Sequence, residues 1–311
     1  LKNISRILIL LFSLSSIIAI SACSGGTTLQ VSTPTLENVQ PTHQTGTATM
    51  SAVTTQPTPT AEQIPAAVVN GEMILLADYE AHLARYLDAQ AESGVLLAGK
   101  DSELVINDLI DRLLLAQGAR SEGFTADDDM VADRITRLVT QIGGQEAFNT
   151  WLDQNHYDLE GFQRDLGLEM EAAWMREQII SVVDETAEQV EAREILFFSE
   201  VDATRVWNQL EEGATFESRV QNYDPQNLGY LGWFPRGYLL EKEVEDAAFS
   251  LQPGEYSPVI ETRLGFHIVQ VLAYDNDRPL SVDARLTLQI QALDDWLEQK
   301  HIESQVEIFV P

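Results

Sequence analysis

The sequence predicts an α+β fold in which a small sheet with its own helices is inserted into a mainly helical domain. Three observations carry this. Apolar residues recur at three- and four-residue spacing from about 78 to 185. From 190 onward the texture changes to glycine-punctuated strands alternating with short helices. Two apolar strand-like runs, Ala67–Val69 and the terminal "QVEIFV", lie at opposite ends without a sequence neighbour, so each is expected to pair with the other.

The elements follow in order. Asn70-Gly71 marks a turn after the first strand-like run, and Asp78 reads as the N-cap of the first helix. The next helix places Val105, Leu109, Arg112 and Ala116 on one face, with Ile106, Ile110, Leu113 and Gln117 beside it. Gly123 stops it, and Thr125 opens a helix carrying Val131, Ile135, Leu138 and Ile142. Gly143-Gly144 breaks the chain again. Phe148, Trp151 and Leu152 mark a short helix, and "DLEGFQRDLGLEMEAAWMREQIISVV" a long one.

The inserted part begins with "VEAREILFF" (190–198) as a strand. Two short helices follow in "DATRVWNQLEEGATFESRV", then "LGYLGWF" as a strand, "EKEVEDAAFSL" as a helix, "QPGEYS" as a turn and "GFHIVQVLAY" as a strand. A further helix over about 282–300 carries Leu286, Ile290, Leu293 and Leu297.

Composition narrows the function. Against 49 acidic residues stand 19 basic ones, a net charge of −30, which argues against nucleic-acid binding. It favours solubility and at most biases the protein toward basic partners. Cys23 is the one cysteine, so neither an intrachain disulfide nor a cysteine-based metal cluster is available. His82, His156 and His301 have no metal-ligand spacing and are expected on the surface; His43 lies in a polar tract.

The first residues explain the cysteine. Lys2 and Arg6 precede an apolar run from Ile7 to Ile20, a secretory signal pattern too short for an ordinary membrane span. Ile20-Ser21-Ala22-Cys23 resembles the bacterial lipobox. That resemblance implies cleavage before Cys23, a diacylglycerol on its sulfur, and anchorage outside the cytoplasm without a span. Residues 24–64 are rich in Ser, Thr, Gln and Pro and lack an apolar period, as in a flexible tether.

The segment "LGWFPRGYLLEKEVEDAAFSLQPGEYSPVIETRLGFHIVQV" resembles the parvulin-type peptidyl-prolyl isomerases. The matching pieces are Leu231-Gly232-Trp233-Phe234, Arg236-Gly237, Glu245-Asp246-Ala247-Ala248-Phe249, Pro253-Gly254-Glu255 and Gly265-Phe266-His267-Ile268. The flanks, "VVNGEMILLADYE" and "WLEQKHIESQVEIFV", resemble the chaperone domain of extracytoplasmic foldases of the PrsA and SurA type. The organisation expected is a signal at 1–22, a tether at 23–64, a helical chaperone-like part at 65–187, a parvulin-like domain at 188–278, and a helix and strand at 279–311 that complete the helical part.

The resemblance implies a site. His267 matches the family's second histidine, and Asp224 stands for the Cys or Asp that couples to it, in a loop about two residues shorter than usual. Glu194 replaces the family's first histidine within Ala192-Arg193-Glu194-Ile195-Leu196, and Leu264 stands where small hydroxyl residues are common. These replacements imply reduced activity, and a Glu194–His267 contact is expected if the fold is kept. Leu231, Leu240 and Val244 would form the apolar walls for a proline ring, with Phe249 supporting them. The implied partners are unfolded or proline-containing secreted chains and, through Cys23, a membrane. No cofactor or metal is implied. The implied function is isomerisation of X–Pro bonds with folding assistance, the alternative being a holdase that only binds extended peptide.

Overall fold

The structure is a computed structural model that describes residues 64–94 and 100–311. The signal segment, Cys23 and all but the last residue of the tether lie outside the described residues.

Two sheets organise the chain from Pro65 onward. In the first, β1 (Pro65–Val69) pairs antiparallel with both β2 (Glu72–Leu75) and β7 (Val306–Ile308), in the order β2-β1-β7. Asn70 and Gly71, at φ 53° and 85°, make the turn between β1 and β2, as a tight hairpin with two positive-φ residues requires. The register Ala67↔Ile308, Val68↔Glu307 and Val69↔Val306 joins the ends of the helical part, as the unpaired runs predict. Asn70 locks this junction. Its side chain donates to Gln117 (2.8 Å) and Ser304 (3.1 Å) and accepts from the Gln305 N–H (3.0 Å).

The helices α1 (Leu76–Ser93), α2 (Asp101–Ser121), α3 (Asp128–Ile142), α4 (Gln145–Gln154) and α5 (Leu159–Ser181) form the helical part, completed by α9 (Val282–Glu303). Two caps differ from expectation. Asp78 does not cap α1, because β2 runs directly into the helix from Leu75; Asp78 lies in the first turn and binds Arg164 at 2.9 Å. Thr125 does not open α3; Asp127 does, accepting from the Met130 N–H at 2.9 Å. A carboxylate serves a helix start as well as a hydroxyl does.

α2 is buried on nearly every side, with Ile110, Leu113, Leu114, Leu115 and Ala116 all in the core. It packs under the first sheet on one side and against α5 and α9 on the other. Gly118 makes the second contact close, since a Cβ there would stand 2.8 Å from the Trp296 ring.

Arg112, on the apolar face of α2, is buried among three carboxylates. It donates to Asp165 at 2.7 Å and Asp108 at 3.2 Å, with Glu169 at 3.4 Å. Asp165 also binds His82 at 3.1 Å and accepts from the Tyr157 hydroxyl. Burial works against ionisation of Asp165, yet His82, Arg112 and Tyr157 outweigh it and hold its carboxyl well below the usual range. His82 is therefore not the surface residue expected. His301 is also half-buried, against Asp111 of α2, whereas His156 is exposed and binds Asp88 at 2.8 Å.

The second sheet has the order β4-β3-β6-β5, antiparallel throughout. Its strands are β3 (Thr186–Phe197), β4 (Tyr230–Pro235), β5 (Ile260–Glu261) and β6 (Phe266–Pro279). Strand alternation sorts its two faces. Ile195, Phe197 and Ile268 pack with Val206, Leu210, Phe216 and Val220 of α6 (Glu200–Glu211) and α7 (Phe216–Tyr223). Val190, Ala192, Val269 and Val271 pack on the other face against Val244 and Ala248 of α8 (Lys242–Ser250).

Candidate active site

The same alternation places Glu194 and His267 together. Glu194 follows Val190 and Ala192 on β3, and His267 precedes Val269 and Val271 on β6, so both belong to the face that α8 covers. The His267 side chain is 3% exposed and the Glu194 side chain 21%.

A directed chain of hydrogen bonds runs through them. His267 Nδ1 lies 2.7 Å from Glu194 Oε2, and because a carboxylate accepts, Nδ1 carries the proton. In the neutral ring this leaves Nε2 an acceptor, and Thr262 Oγ1 donates to it at 2.8 Å. The Leu264 N–H in turn donates to Thr262 Oγ1 at 3.1 Å. Both ring nitrogens of a buried histidine are thus satisfied. The hydroxyl that Leu264 lacks is supplied two residues earlier, by Thr262. The sequence held the signal, a threonine in the turn that enters the histidine's strand, but reading by aligned position passed over it.

Asp224 sits elsewhere than the resemblance implies. Instead of coupling to His267, its two oxygens bind the N–H groups of Asn227 (3.1 Å) and Gly229 (2.9 Å) in its own loop. The shortened loop folds back at Leu228 and Gly229, both at positive φ. It reaches the site through backbone: the Glu194 N–H donates to the Gly229 carbonyl at 2.8 Å. A Cβ on Gly229 would stand 1.8 Å from the Glu194 carbonyl oxygen, so only glycine allows this approach.

The Asn227 and Gly229 N–H groups hold the Asp224 carboxyl below its ordinary value. Its loop-holding bonds are therefore intact above the ordinary carboxylate range and are lost as pH falls through the lowered value. In an NMR titration the Asn227 and Gly229 amides are expected to shift together, with a midpoint below about 3.9. A midpoint at or above that value would contradict the assignment.

The expected walls divide. Leu231, Val244 and Phe249 share one apolar cluster with Phe234 and Val269. Val244 is fully part of that core and offers no open wall; Leu231 and Phe249 are half-buried. Leu240 is 77% exposed and lies outside the cluster, while its neighbours Tyr238 and Leu239 turn in. Phe249 meets Phe234 edge-on at 6.0 Å and carries the Arg236 guanidinium over its ring at 4.0 Å.

The turn that shapes this wall is pinned by Glu245, a residue to which the sequence reading gave no role. Its carboxylate is buried and accepts three consecutive backbone N–H groups: Gly237 at 2.7 Å, Tyr238 at 2.9 Å and Leu239 at 3.0 Å. Phe198, Val201 and Leu264 are large apolar side chains left exposed near the ends of β3 and the start of β6.

The four-stranded antiparallel sheet thus carries one histidine-centred polar chain under α8, and a family model of the PPIC-type PPIase domain matches residues 178–273, which makes this a parvulin-type domain. A second model, the SurA-like N-terminal domain, matches residues 46–176. The chain is thus a PpiC-type isomerase domain joined to a SurA-like helical domain, and its relatives include proteins named foldase protein PrsA. That of Caldanaerobacter subterraneus subsp. tengcongensis is 27% identical over 234 residues, covering 66% of this chain and 72% of the relative. That of Oceanobacillus iheyensis is 25% identical over 163 residues, covering 48% of this chain, and the match spans only about half, 54%, of the relative's length. The crystal structure of the peptidylprolyl isomerase PrsA from Bacillus anthracis is similar with 19% identity and a TM-score of 0.43, covering 64% of this chain and 96% of that one.

Proposed function

We propose that the protein is a foldase working outside the cytoplasm, held to a membrane by a lipid on Cys23, that speeds cis–trans isomerisation of X–Pro bonds in secreted chains. The observation that carries the reading is the Glu194–His267–Thr262 chain, set into a PpiC-type domain on the face that also bears Leu231 and Phe249. The relatives named foldase and the lipobox-like Ile20–Cys23 support its location. Among the described residues no helix is long and apolar enough to cross a membrane.

The chemistry asks little of the protein. Isomerisation breaks no bond, and the barrier of about 18–20 kcal/mol is the loss of amide resonance. A site accelerates it by binding the twisted amide better than either planar form. Leu231 and Phe249 supply apolar contact for the proline ring. Glu194, more exposed than the His267 it binds, is the group that meets a bound amide; His267 and Thr262 orient it. A planar amide carries partial negative charge on its carbonyl oxygen and a twisted one carries less. A carboxylate beside that oxygen penalises the planar forms more.

The test is NMR exchange on short X–Pro peptides with the full chain and its Glu194→His and His267→Ala variants. The wild type is expected to speed exchange, and His267→Ala to lower the rate at least tenfold, in line with the loss of a positioned polar group. A silent wild type that gains activity with Glu194→His would sink the enzyme reading. The second reading, a holdase that binds extended chains on exposed apolar residues such as Phe198 and Leu264, would then stand.

A further inference from the structure

Glu241 precedes the first residue of α8, at the end of the turn that Glu245 pins. It is 7% exposed, yet its Oε1 accepts no hydrogen bond. A buried carboxylate oxygen left in this state is costly. Its charge partner is Arg263, whose Nη2 stands 3.5 Å away while the rest of that side chain is 81% exposed. Arg263 lies between Thr262 and Leu264, the residues that complete the hydrogen-bond chain on His267. The pair therefore bridges the two segments that border the site: the turn before α8 and the turn before β6.

Other cations nearby are engaged more fully. Arg193 binds Glu217 and Gln270, and Arg236 binds Glu188 at 3.2 Å and stacks on Phe249. Glu194, with a partly exposed carboxylate, adds a second negative group at the same site. The chain as a whole carries a net charge of −30, which draws cationic segments toward it.

We infer that Glu241 is a specificity residue that receives a cationic side chain next to the proline of the client. An incoming arginine or lysine would replace Arg263, one guanidinium or ammonium for another, and supply the hydrogen bond that Oε1 lacks. Arg263 is then an internal competitor, expelled into solvent when the client binds. This inference rests on the isomerase reading above and names the substrate class for that site: X–Pro segments flanked by basic residues.

The test compares peptides identical except for Arg, Gln or Glu beside the proline, with the full chain at low salt. In the wild type the catalytic efficiency for the Arg peptide is expected to exceed that for the Glu peptide by about tenfold, as close charge pairs across an interface allow. Glu241→Gln should bring that ratio close to one. Arg263→Ala should raise it, because the competitor is gone. A general structural role for the pair would move both variants the same way. Turnover with no Arg preference, or a ratio unchanged in both variants, overturns this inference and leaves the isomerase reading intact. No turnover of any peptide overturns both.

Discussion

Replacing Arg112 with alanine is expected to lower the unfolding free energy by about 3–5 kcal/mol, the cost of leaving buried charge without its partner. Against the 5–15 kcal/mol typical of a domain, that is a large share. Three carboxylates, Asp108, Asp165 and Glu169, converge on this one guanidinium, and they come from two helices. Asp108 is one turn away on α2, but Asp165 and Glu169 belong to α5, so the arginine holds one helix to another through charge. Urea unfolding followed by circular dichroism measures the loss. A companion substitution separates charge from volume. Arg112→Met combined with Asp165→Leu removes the strongest pair and keeps apolar bulk, and it should recover part of the deficit. A loss under about 1 kcal/mol for Arg112→Ala would mean that water relieves the cluster and that the ion pairs hold little.

The second large effect is local. Glu245→Ala removes the acceptor of three backbone N–H groups in one turn, each bond assisted by the carboxylate charge. Hydrogen bonds to charged groups contribute about 1.5–3 kcal/mol each. Water can reach part of an opened turn, so the expected net loss is about 2–4 kcal/mol. Hydrogen exchange gives the sharper readout. The amides of Gly237, Tyr238 and Leu239 should exchange far faster in the variant, while those of β3 and β6 change little. Equal acceleration throughout the second sheet would show instead that Glu245 supports the whole domain. Turnover should also fall, since the same turn positions the apolar cluster around Phe249.

The residues that reveal the fold are those whose periodicity has one physical meaning. The alternation Val190, Ala192, Glu194 and His267, Val269, Val271 marks which side chains of each strand share a face, while the resemblance to the parvulin family is what implies that Glu194 meets His267; the β3–β6 register then brings the two together. The β1–β7 pairing was equally legible, because two lone strands have few other ways to satisfy their edges. What stayed hidden depends on local geometry that spacing does not encode. Asp78 and Thr125 look like caps, but a strand running straight into one helix and a better-placed Asp127 decide otherwise. Leu240 and Leu239 are adjacent and chemically alike; only the turn held by Glu245 determines which of them faces inward. Asp224 has the right chemistry for its expected role, but the short loop gives its oxygens nearer partners. Thr262 was missed for the converse reason: the hydroxyl is present, displaced by two residues, and the turn before β6 brings it back.

Asn70 and Gln305 are hydrogen-bonded although 235 residues apart. A chain made from its N-terminus must produce everything between them before that sheet can close. The four-stranded sheet, whose strands all lie between Thr186 and Pro279, can assemble while β7 is still to come. On a growing chain topology then sets the order: the four-stranded sheet can close first, and the helical part waits as an open half until α9 and β7 arrive. Contacts this distant in sequence form slowly, so for part of its own birth the protein would present α2 and its apolar neighbours uncovered.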